Sequence, residues 1–166
     1  MKQASQTASD HRIEPIPAMR LAGLARSYPA TAEAMQGLAR QWQDLAHGPG
    51  GKLLAAGPVM YGIHTGLFGQ SGEDEYFSGI EIGAQEPLPA GLSELRLPAI
   101  TCAVIDHGGP AGDISQTTSI LLRDGLHRMG RRLAEARPFD LIERYGRNFD
   151  PRTARGDIQL IVPVED

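Results

Sequence analysis

Two stretches of this chain, 81 residues apart, begin in the same way, and that repetition limits the folds open to it. Ile16-Pro17-Ala18-Met19-Arg20-Leu21-Ala22-Gly23-Leu24 aligns with Leu97-Pro98-Ala99-Ile100-Thr101-Cys102-Ala103-Val104-Ile105. Pro17 and Pro98, Ala18 and Ala99, and Ala22 and Ala103 are identical, and apolar residues coincide at both ends. The register holds without a gap as far as Pro29-Ala30, which falls on Pro110-Ala111. An apolar strand, a proline turn and a helical stretch therefore occur twice in the same order. Each copy leaves one apolar face open; pairing the copies covers those faces and creates a seam where a ligand can sit. A chain of 166 residues supports one core shared by both copies, whereas a copy of about 80 residues alone is marginal.

The local pattern gives each half the order β-α-β-β. Ile13 to Ser27 reads as extended, with Pro15 and Pro17 delaying the regular strand to about Ala18. Ala30 to Ala46 reads as a helix with Met35, Leu38, Trp42 and Leu45 on one face and Thr31 as a candidate cap. Gly48-Pro49-Gly50-Gly51 ends it, and strands are predicted over 53–65 and 75–82, around a Gly-rich acidic turn. In the second half a strand over 95–107 meets the turn His107-Gly108-Gly109-Pro110. A helix is then predicted from an N-cap at Asp113 to about Ala136, weakened at Gly125 and Gly130, with Leu122, Leu126, Met129 and Leu133 on its apolar face. Strands over 141–148 and 157–164 close the unit. The expected fold class is α+β, one domain over 13–166 built of tandem β-α-β-β repeats (about 13–86 and 91–166) joined near Pro87 to Ala90. Six main strands and two long helices, related by a pseudo-two-fold axis, follow from the register. Residues 1–12 read as a disordered polar tail.

Charge and motif spacing narrow the chemistry. A net charge of −4 argues against nucleic acid, because phosphate binding needs a dense cationic face. Arg128, Arg131, Arg132 and Arg137 cluster near one helix end, where such a run is ordinarily a solvated face. No run approaches the ~20 apolar residues of a membrane span, and Met1 to Asp10 lack the apolar core of a secretory signal. Cys102 is the single cysteine, in an apolar strand pattern, so a buried inert thiol and a reducing cytoplasm are expected. His64 and His107 lack the spacing of partners that completes a metal site. Gly48 to Lys52 lacks the spacing of a phosphate loop, and Ser115 and Ser119 lack the context of a nucleophile elbow. No metal, cofactor or catalytic residue is assigned.

The most suggestive constellation is Leu141-Ile142-Glu143-Arg144-Tyr145. On a strand, Glu143 and Tyr145 share one face while Ile142 and Arg144 share the other. A carboxylate beside an aromatic ring suits a cationic ligand with flat apolar parts, since ring face and carboxylate both attract the cation. A shift of 84 residues places Tyr145 on Tyr61, so two tyrosines from equivalent strands are expected to flank the seam, with Trp42 as a pocket wall. The blander reading pairs Glu143 with a nearby arginine on a solvated sheet and leaves the tyrosines and Trp42 as packing residues.

An ordered set of segments resembles the GyrI-like effector-binding domains found in AraC-type regulators. It comprises Tyr76 to Ile82, Leu97-Pro98-Ala99, Ala103 to Pro110, Ile114 to Thr118, Ile142 to Tyr145, Phe149-Asp150, Gly156-Asp157-Ile158 and Ile161 to Val164. The resemblance implies a curved antiparallel sheet with two helices packed on it and an apolar cleft between the repeats that takes up diverse, often cationic or aromatic, small molecules. It places Glu143 on the family's pocket carboxylate and Tyr145 on the aromatic two residues later. Family members include parts of DNA-binding regulators, gyrase-inhibiting proteins and hydrolases of cyclopropane-bearing toxins. The short polar segment before Ile13 has no room for a helix-turn-helix, so a free-standing member without direct DNA binding is expected. A small-molecule binding protein is the first reading, with Glu143, Tyr145, Tyr61 and Trp42 at the ligand. A hydrolase using Glu143 and a protein-binding inhibitor of a topoisomerase are the alternatives. An exposed sheet edge makes a homodimer a further expectation.

Overall fold

The computed structural model describes residues 11–165. The first repeat contributes strands β1 (His11–Ile16) and β2 (Met19–Pro29), then helices α1 (Ala32–Met35), α2 (Leu38–His47) and α3 (Gly51–Ala55), and strands β3 (Met60–Thr65) and β4 (Glu73–Glu81). The second contributes β5 (Ser93–Leu97) and β6 (Ile100–His107), then α4 (Ile114–Ile120) and α5 (Leu126–Arg128), and β7 (Arg132–Leu133), β8 (Leu141–Tyr145) and β9 (Ile158–Glu165). All pairings are antiparallel, and eight strands follow the order β1-β6-β9-β8-β3-β4-β2-β5, with β7 pairing separately to β9. The order reads the same from either end when the repeats are exchanged. This is the α+β architecture expected from the repeat, but with nine strands in place of six and short helices in place of the two long ones. No helix among the described residues is long and apolar enough to cross a membrane.

The duplicated Pro-Ala marks where the repeats meet. Ile16 pairs with Ile100 across β1·β6, and Leu97 pairs with Met19 across β5·β2, in one continuous register. Proline cannot donate to a ladder, so Pro17 and Pro98 break each long strand at the same level. Each strand then passes from one repeat's ladder to the other's. The resulting sheet buries a single cluster that draws Ile16, Met19, Leu21, Tyr61, Ile63, Phe77, Leu97, Cys102, Val104, Ile142 and Ile161 from eight strands. Side chains from eight strands of one sheet touch only if that sheet curls around them. On the opposite face α2 covers β2 and β4 through Leu45, and the α4–α5 segment covers β6, β8 and β9 through Ile114, Leu121 and Leu126.

Several boundaries depart from the sequence expectations. Residues 51–55 form α3 and not the start of a strand, and β3 begins at Met60. Gly48 leaves the helical conformation (φ −120°, ψ −131°) and ends α2 at His47 as expected, but a new helix then starts: Leu54 N–H donates to Gly50 O, and Leu53 and Leu54 pack with Leu45 and Ile80. The second helix stops at Arg128, well before Ala136, because Gly130 takes a left-handed conformation (φ +68°). Arg132 and Leu133 then pair with Glu165 and Val164. Asp113 makes no side-chain cap; it lies in a 3-10 turn over Ala111–Asp113. Thr31 does cap α1, accepting from Ala34 N–H at 3.1 Å. His11 and Arg12 belong to β1 and not to the expected tail, whose remaining residues, 1–10, lie outside the described residues. Cys102 is fully buried, and burial, with Glu14 nearby, pushes its thiol up to about 12.

Ile142 is wholly buried at the centre of the shared cluster. Ile142→Ala is expected to cost about 2–5 kcal/mol, and urea denaturation should show one cooperative transition shifted as a whole. Two separate transitions would show that the repeats hold independent cores.

Candidate functional site

Strand alternation assembles the site from three neighbouring strands. Gly62 and His64 of β3 pair with Glu143 and Leu141 of β8 on one side, and with Ser78 and Tyr76 of β4 on the other. Asp74, Tyr76 and Ser78 alternate with Glu75 and Phe77, and therefore share the face of His64 and Glu143. Helix α2 lies over this face. Its fully buried Gln41 donates through Nε2 to the carbonyls of Leu24 and Tyr76 at 3.0 Å and accepts from Tyr28 Oη at 2.7 Å. Those bonds pin α2 across β2 and β4 and bring Trp42 over the seam.

Five polar side chains converge there. His64 places Nδ1 2.6 Å from Asp74 Oδ2 and Nε2 2.9 Å from Glu143 Oε2. Tyr145 Oη donates to Glu143 Oε1 at 2.7 Å and Tyr76 Oη donates to the same oxygen at 3.3 Å. Trp42 Nε1–H in turn donates to Tyr76 Oη at 2.8 Å. Glu143 is 6% exposed, His64 3% and Asp74 0%. Among the described residues, no group of His, Cys, Asp and Glu is disposed to hold a metal ion.

Electrostatics set the protonation of His64, Glu143 and the two tyrosines. Burial opposes the charge on His64, but the field of Glu143 and the hydrogen bonds to Asp74 and Glu143 outweigh it and raise its pKa to about 10. Both ring nitrogens then donate, as two flanking carboxylates require. Burial likewise works against an ionised Glu143, yet the His64 charge and the hydrogen bonds from His64, Tyr145 and Tyr76 hold its carboxyl below the usual range. Burial and the neighbouring Glu143 push both phenols well above their ordinary values, so Tyr76 and Tyr145 remain donors. Counted formally, two carboxylates against one imidazolium sum to one negative charge.

The walls are apolar. Trp42 meets Tyr145 edge-on with ring centroids 6.1 Å apart, and Phe149 tilts against Tyr145 at 4.7 Å. Trp42 and Met60 pack against the clusters under both helical covers, and so bridge the seam. Leu67 and Phe68 line it from the loop after β3, which Asp140 anchors by accepting from the backbone N–H groups of Gly66 and Phe68. An open groove of about 800 Å³ beside Met19, Arg20, Ile82, Arg96 and Pro98 lies elsewhere, at the Pro-Ala crossing.

The structure thus brings Glu143, Tyr145 and Trp42 together and leaves Tyr61 out. Tyr61 belongs to the strand-face cluster on the opposite side of the sheet, with Ile63 and Phe77. The 84-residue shift that paired the tyrosines is not the shift the ladders follow. Leu21 pairs with Glu81 as Cys102 pairs with Pro163, and Tyr61 pairs with Gly79 as Ile142 pairs with Ile161. Equivalence therefore runs Tyr61 to Ile142, Gly62 to Glu143 and His64 to Tyr145. Among the described residues Glu143 pairs with no arginine; it is buried and faces His64, Tyr76 and Tyr145, while Arg144 turns to Gln159 on the other face. The sequence reading missed His64, Asp74, Tyr76 and Gly62. The available signal was Asp74, Tyr76 and Ser78 at alternate positions of one strand, which puts three polar side chains on one face.

The model of the GyrI-like small molecule binding domain matches residues 9–165, and the chain belongs to this family. No curated protein matches the chain. Among solved structures it is similar to SAV2435 bound to tetraphenylphosphonium, at 15% identity and a TM-score of 0.69, with 94% of each chain covered. The C-terminal domain of EcmrR is similar at 18% identity and a TM-score of 0.60, with 96% of this chain and 99% of that one covered. A hydrolase from Listeria innocua is similar at 14% identity and a TM-score of 0.58, with coverage of 95% and 92%.

Gly62 makes the convergence possible, because a Cβ there would collide with Tyr76 Oη and lie 3.0 Å from Glu143 Oε1. Gly62→Ala is expected to destabilise the protein by about 1–3 kcal/mol through overpacking, read by thermal denaturation. Stability should also depend on pH through His64. Its folded pKa lies above its unfolded one, so its contribution is complete below about pH 6.5 and is lost as pH rises towards about 10. The stability difference between wild type and His64→Gln is therefore expected to narrow steadily across that window in melts at stepped pH.

Proposed function

We propose that this protein binds lipophilic cations in the seam between its repeats, with Glu143 as the counter-charge and Trp42, Tyr145 and Phe149 as apolar walls. The observation that carries this reading is the buried, hydrogen-bonded cluster of Asp74, His64 and Glu143 beneath aromatic rings, two carboxyl groups against one imidazole. An uncompensated charge in a low-dielectric site is unfavourable until a cation arrives. A ring-bearing cation supplies that charge and replaces the rings' mutual contacts with its own. Trp42 and α2 cover Glu143, so binding displaces the indole and opens the seam along the line between α2 and α4. The family and the phosphonium held by the similar SAV2435 structure support the same ligand chemistry.

Turnover is the second reading, raised by the similar hydrolase fold, and the site weighs against it. A general base works best with a pKa near the operating pH, and Glu143 is held below the ordinary carboxylate value. Its Oε1 already accepts two phenolic hydrogens and its Oε2 faces an imidazolium. Such a carboxylate is a good counter-ion and a poor base.

Isothermal titration with tetraphenylphosphonium and with neutral triphenylphosphine oxide tests the proposal. Glu143→Gln is expected to weaken the phosphonium by about 1–3 kcal/mol, roughly fivefold to 150-fold, while the neutral compound changes little. Equal losses for both compounds would mean that Glu143 shapes the pocket without reading charge.

A further inference from the structure

We infer that His64, clamped between Asp74 and Glu143, is the positioning residue that sets the charge of the ligand site, holding Glu143 ionised so that cation binding is independent of pH through the neutral range. The inference rests on the reading of Glu143 as the counter-charge and adds what makes that counter-charge permanent and single.

Every group facing Glu143 bears on the argument. From β3 comes His64; from β4 come Asp74, behind His64, and Tyr76; from β8 itself comes Tyr145; and from α2 comes the Trp42 N–H, acting through Tyr76. Tyr76, Tyr145 and Trp42 are neutral donors. Arg144, the nearest arginine in sequence, lies on the other face and bonds Gln159. The cation that offsets the burial of Glu143 is therefore the imidazolium. Neutral donors alone leave a buried carboxylate subject to desolvation, which favours the protonated acid.

Asp74 completes the arrangement. Fully buried, it sits 2.6 Å from Nδ1, fixing the ring so that Nε2–H points at Glu143, and it opposes loss of the ring proton. Among the described residues its Oδ1 has no hydrogen-bond partner, so the cluster meets only one of its two oxygens. The three groups sum to one negative charge over the pH range in which His64 stays protonated. A permanent monocation neutralises that charge, and a neutral ligand leaves it buried. The ligand class that fits is a delocalised monocation such as a quaternary phosphonium or ammonium, whose own charge does not titrate.

The test is the pH profile of tetraphenylphosphonium binding, with triphenylphosphine oxide as the neutral control. Wild-type affinity is expected to change by less than about twofold between about pH 5.5 and pH 8.5. His64→Gln keeps a donor for Glu143 but removes the charge, so Glu143 takes up a proton as the pH falls. Phosphonium binding should then be about tenfold weaker at the acid end than at the alkaline end, with the neutral control flat. Asp74→Asn brings the cluster to zero net charge while His64 is protonated, and should weaken the phosphonium about fivefold near neutral pH without moving the control. Nitrogen-15 shifts of the His64 ring in the ligand-free wild type should show both nitrogens protonated at about pH 8. This last readout holds even if a variant fails to fold. A flat profile in His64→Gln, or a neutral His64 ring at pH 7, overturns the inference. Failure of wild type to bind the phosphonium at any pH overturns the ligand reading instead, and the ring spectrum then decides on His64 by itself.

Discussion

The ionised state of Glu143 under helix α2 depends on one imidazolium 2.9 Å away, and much of the fold serves to hold that contact. A buried ion pair is favourable only when its geometry is good and its remaining hydrogen-bonding positions are filled. Here β4 supplies Asp74 to the far side of the ring and Tyr76 to the carboxylate, β8 supplies Tyr145, and α2 supplies the Trp42 N–H. A slip of one residue between β3 and either neighbour would turn these groups to the opposite face. The buried Gln41 and the Asp140 anchor then fix the covering helix and the loop with Leu67 and Phe68 against the same seam.

Duplication explains why there is one such site and not two. Carrying the repeat relation through the ladders sets Gly62 equivalent to Glu143, and the two residues are directly paired across β3 and β8. The pseudo-two-fold axis thus runs through this pair. A side chain on both members would crowd the axis; a glycine on one gives the other's carboxylate, and Tyr76, the room to meet. His64 and Tyr145 are likewise equivalent positions that have diverged, one to a cation and the other to a donor. Asymmetry at an axis of near-symmetry turns an internal interface into a site with a defined polarity.

The sequence made much of the architecture legible because its signals were local and periodic. The offset of 81 residues between Ile16-Pro17-Ala18 and Leu97-Pro98-Ala99 corresponds to the point where the long strands exchange ladders. Glu143 and Tyr145 share a face by strand alternation alone. What escaped depended on register across distant segments. Tyr61 and Gly62 are neighbours, and only the pairing with β8 shows that the glycine, and not the tyrosine, opposes Glu143. His64 lies 79 residues from Glu143 and 10 from Asp74, so no spacing motif links them. Helix α3 was missed because Leu53-Leu54-Ala55 satisfies a strand and a helical turn equally well over so short a run.

The most direct measurement of the central claim is a crystal structure of the protein soaked with tetraphenylphosphonium. The phosphorus is expected over the Glu143 carboxylate, with phenyl rings within about 6 Å of the Tyr145 and Phe149 ring centres, Trp42 swung out of its place over Tyr76, and His64 still bridging Asp74 and Glu143. A phosphonium seated in the groove beside Met19 and Pro98, with Trp42 unmoved and Glu143 still covered, would contradict it.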